Sequence, residues 1–306
     1  MPYFLRFRER FPTVRDLAEA SEEEVLKLWQ GLGYYSRARN LHKTAKAVAF
    51  ERSGNFPDTY KGLLALSGVG PYTAAAIASI CHGLPHPVVD GNVYRVLARY
   101  FDVELPINTT EGRRYFEELA HEVMGTGHIA EYNQGIMEFG AMQCVPANPD
   151  CTVCPLADRC GALAGNRIGQ RPVKVPKTPV KERFFHYIMP VDPERRTYLQ
   201  RRTEPGIWRG LYEFPLLERE EPPGPEEILR CLREATQRPG LEVEQSVRLN
   251  EAPVIHKLSH QQLRTTFWVA HVKGLPGESP SLEEAGRFPV PKLIEGFLET
   301  VKNSYF

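Results

Sequence analysis

Residues 66–76 read Leu66-Ser67-Gly68-Val69-Gly70-Pro71-Tyr72-Thr73-Ala74-Ala75-Ala76, and Val88-Val89-Asp90-Gly91-Asn92 follows soon after. Gly68 and Gly70 fall between a helical pattern that ends near Leu66 and another that begins near Thr73. Glycine admits positive φ and lets the backbone approach whatever it touches. A tight turn feeding a helix start also leaves N–H groups without intrahelical partners, at the positive end of the helix dipole, and such a surface suits a phosphate. Asp90 opens the next helical pattern at or near its N-cap. The two runs together read as a phosphate clamp beside a single carboxylate at neighbouring helix starts. Each also has an ordinary reading, as a plain helix–helix connection and a simple cap.

Cys144, Cys151, Cys154 and Cys160 follow a helical pattern with the spacing C-x6-C-x2-C-x5-C. Four thiolates in so short a loop can wrap one metal centre, either iron–sulphur or a structural zinc; a pair of disulfides is the third possibility. Disulfides rank lowest, because nothing in the chain points to secretion. With the hairpin and Asp90, this spacing resembles the helix-hairpin-helix DNA glycosylases that carry a [4Fe–4S] cluster, and among them the MutY-type adenine DNA glycosylases. The resemblance covers nearly the whole chain. It implies that the four cysteines bind a [4Fe–4S] cluster.

Length and charge agree without leading there. The 306 residues suffice for two or three domains, each with its own core. Acids and bases balance at 38 each, so no global basic charge announces nucleic acid. The stretch Arg159–Arg183, however, carries seven Lys or Arg against one acid, Glu182, and includes Pro172, Pro176 and Pro179. It reads as an extended linker lying along a polyanion, or else as a solvated tether. Met1–Phe11 is too charged for a signal peptide, and no window is apolar enough to span a membrane. The expectation is an intracellular, DNA-associated monomer without membrane contact. Cys81 and Cys231 lack partners at metal spacing and read as buried thiols.

Ser21-Glu22-Glu23-Glu24 predicts a capping box ahead of Val25, Leu28 and Trp29. Gly31-Leu32-Gly33-Tyr34-Tyr35 breaks that helix. Further helices are predicted over 36–52, 73–82, 92–101, 110–124 and 129–142. Past Gly165 the pattern turns strand-like, with candidates over 184–189, 196–200, 210–217 and 262–272 and helices over 225–237 and 292–302. The order resembles a Nudix-like α/β domain. The expected architecture is multi-domain: an all-α helix-hairpin-helix glycosylase core with a [4Fe–4S] loop, followed by that α/β domain. Its parts are a helical core over 1–100, an iron–sulphur domain over 101–163, a basic linker over 164–182 and a lesion-recognition domain over 183–306. Where a Nudix box would carry two metal-binding glutamates stand Gln237 and Arg238. Arginine does not ligate Mg²⁺, so the domain reads as a recognition module.

The resemblance assigns roles. Its ligand is double-stranded DNA with adenine mispaired to 8-oxoguanine or guanine. Tyr34 matches the tyrosine that wedges into the duplex, though an aromatic beside two glycines also serves as a core plug. Gly68 and Gly70 would grip the backbone. Tyr72 stands where the glycosylase/lyases carry a Schiff-base lysine; a phenol forms no imine, so the chain should be monofunctional. Asp90 would stabilise an oxocarbenium-like sugar as adenine leaves, with Tyr72 orienting Asp90 or the sugar. Ser259 and His260, in His256-Lys257-Leu258-Ser259-His260, match the Phe-Ser-His loop that senses 8-oxoguanine, with Leu258 in place of Phe. Family members protonate the departing adenine with a Glu in an E-x-x-x-Q-Q-T helix upstream of the Pro-Tyr-Phe seen here as Pro2-Tyr3-Phe4. That helix is not among these residues, so the chain is expected to be N-terminally truncated and slowed by the ~10²–10⁴-fold typical of a lost general acid. The alternatives are a non-catalytic lesion-binding protein and an endonuclease III-like glycosylase/lyase.

Overall fold

The structure is a computed structural model that describes residues 2–176 and 179–304. Met1 and Lys177, both used in the sequence reading, lie outside the described residues. The helices in chain order are α1 (Pro2–Arg10), α2 (Val14–Glu19), α3 (Glu22–Trp29), α4 (Ser36–Lys46), α5 (Tyr60–Leu64), α6 (Pro71–His82), α7 (Gly91–Tyr100), α8 (Thr110–Val123), α9 (Ile129–Met142), α10 (Gly161–Ala164), α11 (Pro225–Thr236) and α12 (Lys292–Ser304). The strands are β1 (Lys181–Val191), β2 (Gln200–Arg201), β3 (Tyr212–Glu213), β4 (Leu216–Glu218), β5 (Glu242–Arg248), β6 (Val254–Lys257) and β7 (Gln261–Lys273). The chain packs as two compact units, residues 47–177 and residues 1–46 with 178–306.

The grouping by packing differs from the sequence-order expectation at the N-terminus. Phe11, Val25, Leu26, Tyr35 and Ala38 share one core with Phe185, Phe267, Val269 and Phe297. These apolar stripes bury more surface on the sheet than short helices bury among themselves. β1 runs parallel to β7 over its whole length at the centre of a mixed sheet of order β4-β1-β7-β5, with β6 also paired to β7. Central parallel strands are covered on both faces. Leu263, Phe267 and Val269 enter the core just described, while Ala270 and Val272 join Ile228 and Leu232 of α11 on the other face. This alternation is what the sequence pattern predicts for β7.

In the 47–177 unit, α7 packs on α9 and α8, and α6 on α5 and α9. Val93, Leu97, Ala98, Phe116 and Ala120 form its core. The proline-containing stretch is not a free tether as far as Val175. Arg171 is buried and pairs with Asp102 at 3.0 Å and Glu104 at 2.7 Å, and Arg167 also pairs with Asp102. Ile107 N–H donates to Val173 O at 3.0 Å, and Val175 N–H to Asn108 Oδ1 at 2.9 Å. With Arg183 paired to Glu218 at 2.5 Å, three of the seven basic side chains are therefore committed to carboxylates rather than free for a polyanion.

Smaller expectations also shift. Ser21 Oγ accepts from Glu24 N–H at 3.1 Å, but Glu24 turns to Arg10 at 2.6 Å instead of closing the box. Cys231 is buried, with its thiol pushed up to about 11 by desolvation, whereas Cys81 is exposed on α6. No helix of the described residues is long and apolar enough to cross a membrane.

Candidate nucleic-acid interface and active site

The hairpin of the 47–177 unit joins α5 to α6. Leu66 N–H donates to Leu63 O and Val69 N–H to Leu66 O, which closes a tight turn with Gly68 at φ +78°. That left-handed conformation suits glycine. Gly70 departs from the expectation: as N-cap of α6 it is extended, with φ −88° and ψ 177°. A Cβ built there would meet nothing within 4 Å, and no side chain caps the helix. The α6 N-terminus is thus open, with Pro71 at its first positions.

Asp90 is the N-cap of α7. Its Oδ1 accepts from Asn92 N–H and Val93 N–H, each at 2.8 Å, and its Oδ2 accepts from Asn92 Nδ2 at 3.2 Å. The residue is half-buried, so the carboxylate is held rigid yet keeps a solvent-facing side. The approach to it is fixed by Asn133 of α9, which is fully buried, takes Val88 N–H on Oδ1 at 3.1 Å and gives Nδ2 to His86 O at 2.9 Å. Sequence reasoning missed Asn133, because nothing local marks a polar residue on a helix as buried. Tyr72 does not reach for Asp90: its hydroxyl donates to Met137 Sδ at 3.4 Å. Both Tyr72 on α6 and Asp90 before α7 thus flank α9.

From the Asp90 cap, hydrogen bonds run on to the cysteine loop. Arg95 gives Nη2 to Asn92 Oδ1 at 2.8 Å and Nε to Cys144 O at 2.6 Å, and also contacts Gly91 O and Gly140 O. Arg99, one turn on and 2 % exposed, donates to Val145 O at 2.8 Å, Pro146 O at 2.9 Å and Cys144 Sγ at 3.4 Å. Desolvation pushes the Arg95 guanidinium below its ordinary value. Burial, reinforced by Cys154, Cys160 and Cys144, pushes the Cys151 thiol up. Among the described residues no three His, Cys, Asp or Glu side chains converge tightly enough to hold a metal ion. Two buried guanidinium charges beside four thiols, with neutral oxygens as their other partners, form a pocket whose charge an anionic thiolate-bound group would balance.

In the other unit, Tyr34 and Ser259 meet: Tyr34 Oη and Ser259 Oγ are 2.6 Å apart. The turn that carries Tyr34 has Gly31 at φ +95°, Gly33 at +70° and Tyr34 itself at +47°. Trp29 Nε1–H donates to Gly33 O at 3.0 Å, and the Arg37 guanidinium lies over both Trp29 and Tyr34. Tyr34 is 68 % exposed, so it plugs no core. Tyr34, Ser259 and His260 line one cleft of about 520 Å³ together with Trp208, His256 and Lys292. Trp208 went unremarked in the sequence, where an isolated Gly-Ile-Trp carries no motif. In the Nudix-box remnant Gln237 caps α11 in the left-handed region and Arg238 lies beyond it.

The HhH-GPD superfamily base excision DNA repair protein family matches residues 1–122, and the NUDIX domain family matches residues 186–300. The adenine DNA glycosylase of Buchnera aphidicola subsp. Baizongia pistaciae is 32% identical over 267 residues, covering 86% of this chain and 71% of that protein. The enzyme of Arabidopsis thaliana is 35% identical over 247 residues, 70% of this chain and 39% of its own length. The human one is 43% identical over 161 residues, 52% of this chain and 30% of its own length. A thermostable thymine-DNA glycosylase structure is similar at 28% identity and TM-score 0.50, covering 54% of this chain and 76% of that one. The chain spans 63% of the Buchnera aphidicola subsp. Acyrthosiphon pisum relative and smaller shares of the eukaryotic ones. With a helical glycosylase core followed by a Nudix-like α/β domain, this chain belongs to the adenine DNA glycosylase family of base-excision repair.

Proposed function

We propose that the chain removes adenine mispaired with 8-oxoguanine or guanine in double-stranded DNA, acting as a monofunctional glycosylase. One observation carries the lesion reading: Tyr34 and Ser259, assigned separately to DNA and 225 positions apart, share a 2.6 Å hydrogen bond at one cleft. That contact supports reading the two as parts of one lesion-reading edge.

For the chemistry, Asp90 supplies a fixed negative charge. Breaking the adenine–sugar bond leaves positive charge on the deoxyribose, and a carboxylate already locked by two backbone N–H groups stabilises it without reorganising. Tyr72 carries no amine, so no imine forms. The open α6 N-terminus and Gly68 turn would hold a phosphate. Cys144, Cys151, Cys154 and Cys160 would bind a [4Fe–4S] cluster, which would supply a rigid anionic knot for Arg95 and Arg99 to close upon. Arg95 in turn steadies Asn92 and so the Asp90 cap.

The test uses duplexes with adenine opposite 8-oxoguanine, opposite guanine and opposite thymine. Excision confined to the first two, abolished by Asp90→Asn and giving no borohydride-trapped adduct, supports the proposal. A trapped adduct would establish the lyase reading instead. Lesion-selective binding without excision by the chain as written would favour a non-catalytic binder.

A further inference from the structure

We propose that Trp208 and His256 are positioning residues that set the height of the Ser259 turn against Tyr34. The inference rests on the lesion-reading proposal above and adds residues that none of the motifs assign.

The turn between β6 and β7 is held at its flanks, by Leu258 packed against the core and by Lys181 N–H, which donates to His260 O at 3.3 Å. Leu258 N–H donates to Gln261 O at 2.8 Å, while Ser259 and His260 are exposed. β6 is an edge strand whose Val254, Ile255 and Lys257 are also exposed. Only His256 of that strand is half-buried, and its ring stands edge-on to Trp208, with centroids 5.6 Å apart at 61°. Trp208 is 8 % exposed and meets Phe185 of β1 edge-on at 6.5 Å. Phe185 is fully buried. A column of three rings therefore runs from the central strand of the sheet to a point three residues before Ser259.

The backbone at Trp208 is strained to aim that ring. Its φ is +59°, in the left-handed region that side chains other than glycine rarely adopt. Gly206 and Gly210 on either side, at φ +142° and +86°, give the loop the freedom to reach this shape. Strain of this kind persists where the surroundings over-determine it, and such places concentrate at functional sites. Trp208 and His256 also line the cleft that Tyr34 and Ser259 border. Their ring contact therefore fixes the end of β6, and β6 fixes the serine hydroxyl in reach of the tyrosine. Core packing alone would require Trp208 to be buried, but not His256 on an exposed edge.

Two measurements on the full chain decide it. Amide hydrogen exchange of the free protein reads the turn directly. His256→Ala should speed exchange at Leu258 about tenfold, with His256→Phe restoring it. Binding to duplexes with non-excisable 2′-fluoro-deoxyadenosine opposite 8-oxoguanine or guanine reads the consequence. The ratio of the two dissociation constants should fall about three- to tenfold in His256→Ala and Trp208→Ala and recover in His256→Phe. Unchanged exchange at Leu258 in His256→Ala overturns the inference, even where Trp208→Ala folds poorly. A loosened turn with an unaltered ratio overturns it too. Wild-type protein that binds both duplexes equally defeats the lesion-reading proposal instead, while the exchange result still decides whether the ring column holds the turn.

Discussion

Tyr34 adopts a backbone conformation that an aromatic residue holds only under constraint, and the constraint is visible around it. Its φ of +47° follows two glycines that take the same hand freely. The ring gains an Arg37 cation on one side and the Ser259 hydroxyl at its tip. Replacing Tyr34 by Gly should therefore leave stability unchanged or raise it by about 1 kcal/mol, while binding to a mismatched duplex weakens. Chemical denaturation and duplex titration on the same variant would show this split; a parallel loss of both would mark Tyr34 as a structural plug. The hydroxyl contact itself is open to a double-mutant cycle. Tyr34→Phe with Ser259→Ala should show a coupling of about 1 kcal/mol in the binding of 8-oxoguanine duplex, as expected for a neutral hydrogen bond. Strictly additive effects would mean that the contact is given up on DNA. Ser259→Ala alone should erode the preference for 8-oxoguanine over guanine.

At the scale of elements, the junction of α7 with α9 decides how well Asp90 is held. A Cβ on Gly140 would lie 2.8 Å from Asn92 Cβ and 3.0 Å from its carbonyl oxygen, so the two helices meet at that glycine. Gly140→Ala must push the first turn of α7 away, at a cost of about 1–3 kcal/mol. Because Asn92 and Arg95 tie that turn to both Asp90 and the cysteine loop, excision should fall by more than stability alone explains. Single-turnover kinetics beside a denaturation curve would test this, and unchanged kinetics would detach the helix junction from the site. None of this contact was legible beforehand, though its elements were. Amphipathic runs such as α8 and α9 announce themselves through the 3.6-residue period, and β7 through its alternation. What escaped was short or polar: α1 and α2, and the edge strands β5 and β6, where Glu242-Val243-Glu244-Gln245 alternates weakly because one side faces solvent. Asp90 and the cysteines could be singled out beforehand because such residue types in so tight a pattern are few in the chain. The meeting of Tyr34 with Ser259, and the burial of Asn133, depend on contacts that no local pattern encodes.

For the whole molecule, acid stability turns on which groups the fold keeps neutral and which it keeps charged. Burial pushes the imidazoles of His42, His186 and His256 below the ordinary 6.5, and burial with the nearby His121 does the same to His86. At His186 desolvation leads, with the Arg219 and Arg248 charges pushing the same way. A depressed imidazole means that the unfolded chain takes up the proton first. Its stabilising contribution is full above about 6.5 and is lost as pH falls through the lower folded values. The carboxylates shift the same way but over a lower range. Hydrogen bonds from Arg167 hold Asp102 below 3.8, and those from Arg183 hold Glu218 below 4.5, so their contribution persists at mildly acid pH and disappears beneath those values. The histidines are spread over both compact units, His86 in residues 47–177 and the other three in the sheet-bearing unit. The melting temperature should accordingly begin to fall between about pH 7 and 5, before Asp102 and Glu218 titrate, and fall again below about pH 4, with the buried Glu213, pushed above 4.5 by desolvation, opposing the second fall. Calorimetry across that range tests the order: a melting temperature flat down to about pH 5 would mean that the buried rings accept protons at little cost, and that the ion pairs alone govern acid unfolding.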